Sequence, residues 1–351
     1  ATNSWSFWVD RGGTFTDIVA RQPDGELISH KLLSDNPAQY RDAVIQGIRD
    51  LMGLAKGARI PVEQIDAIKM GTTVATNALL EHKGEPTLLL TTRGFSDVLR
   101  IGYQSRPDLF AINIELPQMI YARVEELNER LDAQGQVLQA LDLEQARSVL
   151  QAAFDDGLRA CAIVLMHSYR NGSHEQQVAA LAREIGFTQV TASSEASPLM
   201  KIVSRGDTAV VDAYLSPILK SYVNQVASEL EDFVDEPGRL MFMQSNGGLT
   251  DAQLFNGKDA ILSGPAGGVV GMVKTAEQAG FDKLIGFDMG GTSTDVCHYQ
   301  GEYERAFETK VAGFRLQTPM MSIHTVAAGG GSILNFDGSR FRVGPDSAGA
   351  F

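Results

Sequence analysis

Two stretches of this chain spell the same turn. VDRGGTFTDIV near the start and FDMGGTSTDV beyond residue 286 both read Asp-x-Gly-Gly-Thr-x-Thr-Asp followed by a β-branched residue. Paired glycines reach backbone angles closed to other residues, and without Cβ atoms the chain can wrap closely round a phosphate. The threonine hydroxyls and successive N–H groups are donors to phosphate oxygens. The leading carboxylates, Asp10 and Asp288, suit a hydrated Mg2+, which keeps several waters and accepts one or two carboxylates beside phosphates. A single such turn is ordinarily a plain hairpin. Two copies with identical spacing, facing each other across a cleft, would grip a polyphosphate from both sides. That arrangement calls for two units of one topology.

The flanking patterns agree with this. FWV, TDIVA and ELISHKLL alternate as a three-strand meander with a tight turn at Asp24-Gly25, and KLIGFD, VCHYQ and YERAFETKV repeat it. Between the copies, SDNPAQYRDAVIQGIRDLMGL predicts an amphipathic helix with Pro37 at its first position. IDAIKM reads as a strand entering a helix that Thr72 or Thr73 caps, and PTLLLTT as a buried strand. Residues 95–140 are irregular; helix, strand and helix then alternate to SSEASP at 193–198, the expected domain junction. A helical region from about Ser204 to Phe233, interrupted at Pro217, follows it. The expected fold is α/β in two domains, 1–195 with an inserted irregular segment near 95–140, and 196–351.

Composition narrows the function. A formal net charge of −13 over 351 residues argues against a nucleic-acid surface, which needs clustered Lys and Arg. The longest apolar runs, such as CAIVLM at 161–166, suit a buried strand and fall short of the ~18 residues of a membrane span. The two cysteines, Cys161 and Cys297, imply no disulfide framework, and a cytoplasmic protein is expected. No Walker-type G-x-x-x-x-G-K-[ST] occurs, and no G-x-G-x-x-G follows the first strand. His167, His174 and His324 form no metal-binding pattern and read as core or loop residues, and Met241, Met243, Met320 and Met321 as core filler.

The paired turns resemble the two phosphate motifs of the actin, hexokinase and heat-shock chaperone ATPases, whose two ribonuclease-H-like domains clamp Mg-ATP. More closely, VDRGGTFTDIVARQPDG, MGTTVATNALLEHKGE, VLMHSY with HEQQV, LSGPAGGVVG, GFDMGGTSTDV and TVAAGGGS resemble the hydantoinase A and oxoprolinase family. Arg11 and the run SSEASPLMKIVSRGDTAVVDAYL point to its oxoprolinase branch. The resemblance runs from Phe7 to the last residue. It implies an actin-like ATPase fold whose second domain is incomplete here, and ATP-dependent opening of the 5-oxo-L-proline lactam to L-glutamate after phosphorylation of the amide oxygen. It also implies Mg2+, often K+, and a hydantoinase B-like region or subunit. Self-association into a homo-oligomer stays open.

By that resemblance Asp10, Gly12, Gly13, Thr14 and Thr16 form the first phosphate turn, and Asp288, Gly290, Gly291, Thr292 and Thr294 the second. Asp10 and Asp288 are the metal carboxylates. Asp17 and Asp295 either contact metal-bound water or accept the turn's own N–H groups. Asp212 is the candidate for polarising the attacking group or a metal-bound water, against a plain capping aspartate. Gly267 and Gly268 in LSGPAGG, and Gly329 and Gly330 in AAGGGS, are nucleotide-contact candidates, against tight packing and a structural turn. Arg11, Arg100 and Arg106 are candidates for a substrate carboxylate, against surface roles. Two alternatives remain: the ATPase subunit of an N-methylhydantoinase or acetone carboxylase, and an ATP-driven conformational module without small-molecule turnover.

Overall fold

The computed structural model describes residues 4–104, 110, 112–114, 118–230, 233, 236–291 and 293–348. The chain opens with the expected meander of β1 (Trp5–Arg11), β2 (Phe15–Arg21) and β3 (Leu27–Leu33). Helix α1 (Ala43–Leu51) starts later than Pro37 suggests, because Asp42 supplies the cap and accepts the N–H groups of Val44 and Ile45. Strand β4 (Ile65–Thr72) then pairs in parallel with β1 and leads into α2 (Val74–Leu80). The Thr72 hydroxyl accepts the Val74 N–H at that helix start.

The middle of the chain is more regular than its sequence suggests. Strands β5 (Thr87–Thr92) and β6 (Tyr121–Leu127) flank the short helix α3 (Val98–Ile101). A small hairpin, β7 (Arg130–Leu131) and β8 (Val137–Gln139), precedes α4 (Leu143–Asp155), β9 (Ala160–Val164), α5 (Ser173–Ile185) and β10 (Gln189–Ala192). These strands form a separate, wholly parallel sheet in the order β10-β9-β5-β6. Its core of Leu88, Leu90, Leu150, Ile163 and Val178 is fully buried, as doubly covered parallel strands require. The inserted unit is therefore this whole sheet, and residues 95–140 contribute β6 to it.

After α6 (Ser193–Ala196), helix α7 (Ile202–Ser228) runs for 27 residues straight through Pro217. Proline removes one backbone hydrogen bond, but burial of α7 on almost every side through Ser216 offsets that loss. Strands β11 (Leu240–Met243) and β12 (Leu249–Asp251) follow, and β11 pairs in parallel with β4. The first sheet is thus β12-β11-β4-β1-β2-β3, and it crosses the boundary expected at residue 195. Four-residue strands carry no sequence mark of the sheet they join, and here Phe242 enters the core of Phe7, Ile18, Ile68 and Val211.

Helix α8 (Ser263–Gln278) then introduces the second copy of the turn, between β13 (Lys283–Met289) and β14 (Thr294–Gln300). Short strands β15 (Arg305–Ala306), β16 (Thr309–Val311), β17 (Phe314–Leu316) and β18 (Met320–Met321) intervene before β19 (Ile323–Val326). The third strand of the second meander is β19, and YERAFETKV supplies instead the excursion through β15 and β16. A final hairpin joins β20 (Ser332–Phe336) to β21 (Phe341–Ser347).

The two meanders match residue for residue. Asp10 lies opposite Asp17 and Arg11 opposite Thr16; Asp288 lies opposite Asp295 and Met289 opposite Thr294. Their coverings differ. Phe7 and Val9 are 0% and 5% exposed beneath α1 and α7, whereas the corresponding Ile285 and Phe287 are 77% and 70% exposed.

Candidate functional site

Each turn closes on the same backbone hydrogen bond, Gly12 N–H to Phe15 carbonyl at 3.0 Å and Gly290 N–H to Ser293 carbonyl at 2.9 Å. A Cβ on Gly12 would stand 2.9 Å from that Phe15 carbonyl, so glycine is needed for the tight bend. Each turn is also braced from behind. Ser34 donates its hydroxyl to the Gly12 carbonyl at 2.7 Å and its N–H to the Thr14 carbonyl, and its Oγ lies 2.9 Å from the Thr16 hydroxyl. In the second copy Thr294 donates to the Ala328 carbonyl, while Gly330 and Gly331 donate their N–H groups to the carbonyls of Gly290 and Gly291.

These braces revise several expectations. Thr16 is fully buried on the face of the sheet opposite Asp10, and Thr294 is nearly so; their hydroxyls hold the turns in shape. The N–H groups of the AAGGGS segment are engaged as well, with Gly329 donating to the Ser332 hydroxyl and Gly330 to Gly290. That segment acts as the second turn's buttress. Thr292 lies outside the described residues.

Strand alternation places Asp10 and Asp17 on one face of the first sheet, in a row running from Gly71 of β4 through Asp10 and Asp17 to Lys31 of β3. The start of α8 packs over this row. Ser263 Oγ accepts the Thr72 N–H at 3.1 Å, and a Cβ on Gly264 would stand 3.6 Å from Asp10 Oδ1. A Cβ on Gly71 would come within 3.4 Å of the same oxygen. Along the next turn of the helix, from Pro265 to Gly268, these two residues line a cavity of about 270 Å3 whose far wall includes Asp288, Asp295 and Cys297. Helix α8 therefore spans from Asp10 to Asp288, packed between the two sheets.

Electrostatics tie the two turns together. Asp10 is open to water, yet enough protein surrounds it that desolvation is the first cause raising its carboxyl pKa. Repulsion from Asp17 follows, then repulsion from Asp288, with Lys31 pulling the other way. A carboxylate of the second copy thus bears on one of the first. A polyphosphate with its cation fits this crevice: glycines keep its walls clear of Cβ atoms, and the acidic row offers charge to a cation. Among the described residues no three His, Cys, Asp or Glu side chains converge as a ready-made metal cage, so an ion there would complete its shell with water and phosphate oxygens.

The other candidates lie elsewhere. Arg11 points away from Asp10, its guanidinium 4.9 Å over the ring of Tyr222 in α7. Arg100 is exposed on α3, near enough to Tyr121 to lower the phenol's raised pKa, and Arg106 falls outside the described residues. Asp212 is buried, with its oxygens accepting from Thr191, Ser216 and the Lys258 N–H. Desolvation raises its carboxyl, and its visible work is to pin the 257–259 turn onto α7. Gly267 lies beneath Met243. Sequence reasoning passed over Ser34, Gly71 and Lys31, and reached Gly264 only as part of the LSGPAGG segment. None of the first three belongs to a repeated motif, and they emerge only from the strand pairing and the hydrogen bonds behind the first turn.

Two family models match the chain: the hydantoinase/oxoprolinase N-terminal region over residues 6–186 and hydantoinase/oxoprolinase over residues 205–351. The chain belongs to the hydantoinase/oxoprolinase family. Within that family it is 45% identical to 5-oxoprolinase 1 of Arabidopsis thaliana across 98% of this chain and 29% of the relative. Its fold matches the crystal structure of the ATP-dependent caprolactamase from Pseudomonas jessenii with a TM-score of 0.82 at 30% identity, over 98% of this chain and 51% of that one. A nucleotide-free acetone carboxylase superposes with a TM-score of 0.79 at 23% identity, again over 98% and 51%. The chain thus spans less than a third of that plant relative. The fold is the actin-like ATPase type, and among the described residues no helix is long and apolar enough to cross a membrane.

Proposed function

We propose that this chain is the nucleotide-binding, phosphorylating part of an enzyme that opens the 5-oxo-L-proline lactam to L-glutamate at the expense of ATP. The supporting observation is the pair of register-matched turns joined across α8, with Asp288 acting on Asp10. Similarity to plant 5-oxoprolinase supports the substrate. In this reading ATP supplies the phosphoryl group: the lactam oxygen takes it as the bond to ADP breaks, one water adds to the ring carbon, the ring nitrogen takes up a proton and departs to leave an acyl phosphate, and a second water releases phosphate and the new carboxylate.

The chain's own groups position and neutralise, as phosphoryl transfer demands. Gly12 to Thr14 would cradle the phosphates from one side and the Gly290–Gly291 turn from the other. Asp10 and Asp288 would share the hydrated Mg2+, and Gly264 and Gly268 would let the phosphates approach the start of α8. A K+ ion and a hydantoinase B-like region belong to the same proposal. The caprolactamase and acetone carboxylase likenesses support a second reading, the same chemistry on another carbonyl.

The test is ADP release from the full-length polypeptide with 5-oxoproline, hydantoin or caprolactam added. Stimulation by 5-oxoproline is expected. Stimulation only by another lactam moves the substrate, and release indifferent to every lactam leaves a conformational ATPase.

A further inference from the structure

We infer that Lys31 is a phosphate-binding cation of the first turn, exchanging its carboxylate partner Asp17 for the terminal phosphate of a bound nucleoside triphosphate. The inference rests on the nucleotide reading above and assigns a residue that neither repeated motif contains.

Lys31 ends the row that begins at Gly71 and passes through Asp10 and Asp17, all on the face that meets α8. Its Nζ lies 2.9 Å from each oxygen of Asp17 and 5.1 Å over the ring of Phe15, the residue that closes the turn. Its charge reaches Asp10, whose carboxyl it pulls down against desolvation and two like charges. The ammonium is therefore held at the rim of the crevice.

The two copies diverge at this place. Lys31 lies opposite Asp17, and the corresponding partner of Asp295 is Thr325, whose hydroxyl donates to it at 2.6 Å. A hydroxyl is enough to orient a carboxylate, so orientation alone does not call for a lysine. Of the two turns, only the first carries a lysine at this register position.

Charge decides the exchange. Asp10 and Asp17 on one turn and Asp288 and Asp295 on the other already make both turns acidic, and a triphosphate adds several negative charges that one divalent ion does not cancel. The side chains of Lys31 and Asp17 are 57% and 53% exposed. An ion pair so open to water holds its partner weakly, while a phosphate offers a denser charge and several acceptors. Four rotatable side-chain bonds let the ammonium move while β3 stays fixed.

The experiment is calorimetric titration of Mg-ATP and Mg-ADP into the chain and into Lys31→Ala and Lys31→Arg, with a thermal melt of each. Losing one charge-assisted hydrogen bond should weaken ATP by about tenfold to a hundredfold. ADP should change by less than about threefold, Lys31→Arg should recover most of the ATP affinity, and the melts should coincide because the residue is exposed. Equal weakening of ATP and ADP, or none, overturns the role of Lys31 while leaving the nucleotide site standing. Failure of the unsubstituted chain to bind either nucleotide removes that site, and this inference with it.

Discussion

Replacing Asp10 by Asn removes one charge and almost no volume, so it separates what the carboxylate does for binding from what it does to the fold. Desolvation and repulsion from Asp17 and Asp288 raise the Asp10 carboxyl, so the ionised form is disfavoured in the folded chain. A carboxyl raised on folding lowers stability as pH climbs above its unfolded value. The nucleotide-free variant should therefore melt slightly higher than the parent at pH 7, and the gap should close as pH falls toward 4. The gain stays below about 1 kcal/mol, since water reaches Asp10 and screens it. Binding should move the other way and much further. Loss of one partner in a charge pair costs about 2–5 kcal/mol, or roughly 30- to 5,000-fold in Kd. Calorimetry with Mg-ATP, with and without EDTA, reads this directly: chelation should weaken the parent strongly and Asp10→Asn much less, because Asp288 alone then faces the ion. A variant that keeps its full Mg2+ dependence would remove Asp10 from the cation site. A variant that melts lower than the parent at pH 7 would refute the like-charge reasoning.

Two further outcomes follow from buried groups. Glu175 is fully buried and accepts from the Leu165 N–H, the Ser193 hydroxyl, and the N–H and hydroxyl of Ser194, beside the buried Arg205. Glu175→Ala should cost about 3–5 kcal/mol in urea unfolding, and a loss under about 1 kcal/mol would mean these donors find other partners. Asp207 pairs with Arg315 at 2.7 Å, but desolvation pushes its carboxyl up to about 6. Between pH 4 and 6 the folded chain then keeps a proton that the unfolded chain has released, so stability falls as pH rises, by on the order of 3 kcal/mol. Asp207→Asn should lack that decline; parallel curves for the two proteins would show that Asp207 titrates normally.

The repeated turn was legible because its chemistry is local. Glycine angles, strand alternation and the spacing of Asp10 and Asp17 fix a hairpin register, and Asp288 and Asp295 reproduce it. What escaped was long-range. Nothing in Leu240–Met243 tells that it pairs with β4 and not with a second sheet, and nothing after Gln300 tells that β19 must wait until Ile323. The threonines misled for a related reason. Thr16 is one residue from Asp17, so it faces the opposite side of the sheet, and its hydroxyl meets Ser34. Lys31 carries no motif at all, and becomes visible only once β3 is laid against β2. Pro217 predicted a break that burial of α7 overrode.

Diffraction from crystals soaked with a non-hydrolysable ATP analogue and Mg2+ bears most directly on the shared crevice. One triphosphate should lie between Gly13 and Gly291, with the ion between Asp10 and Asp288. A nucleotide seated on one turn alone, with the other facing bulk water, would contradict a jointly held phosphate.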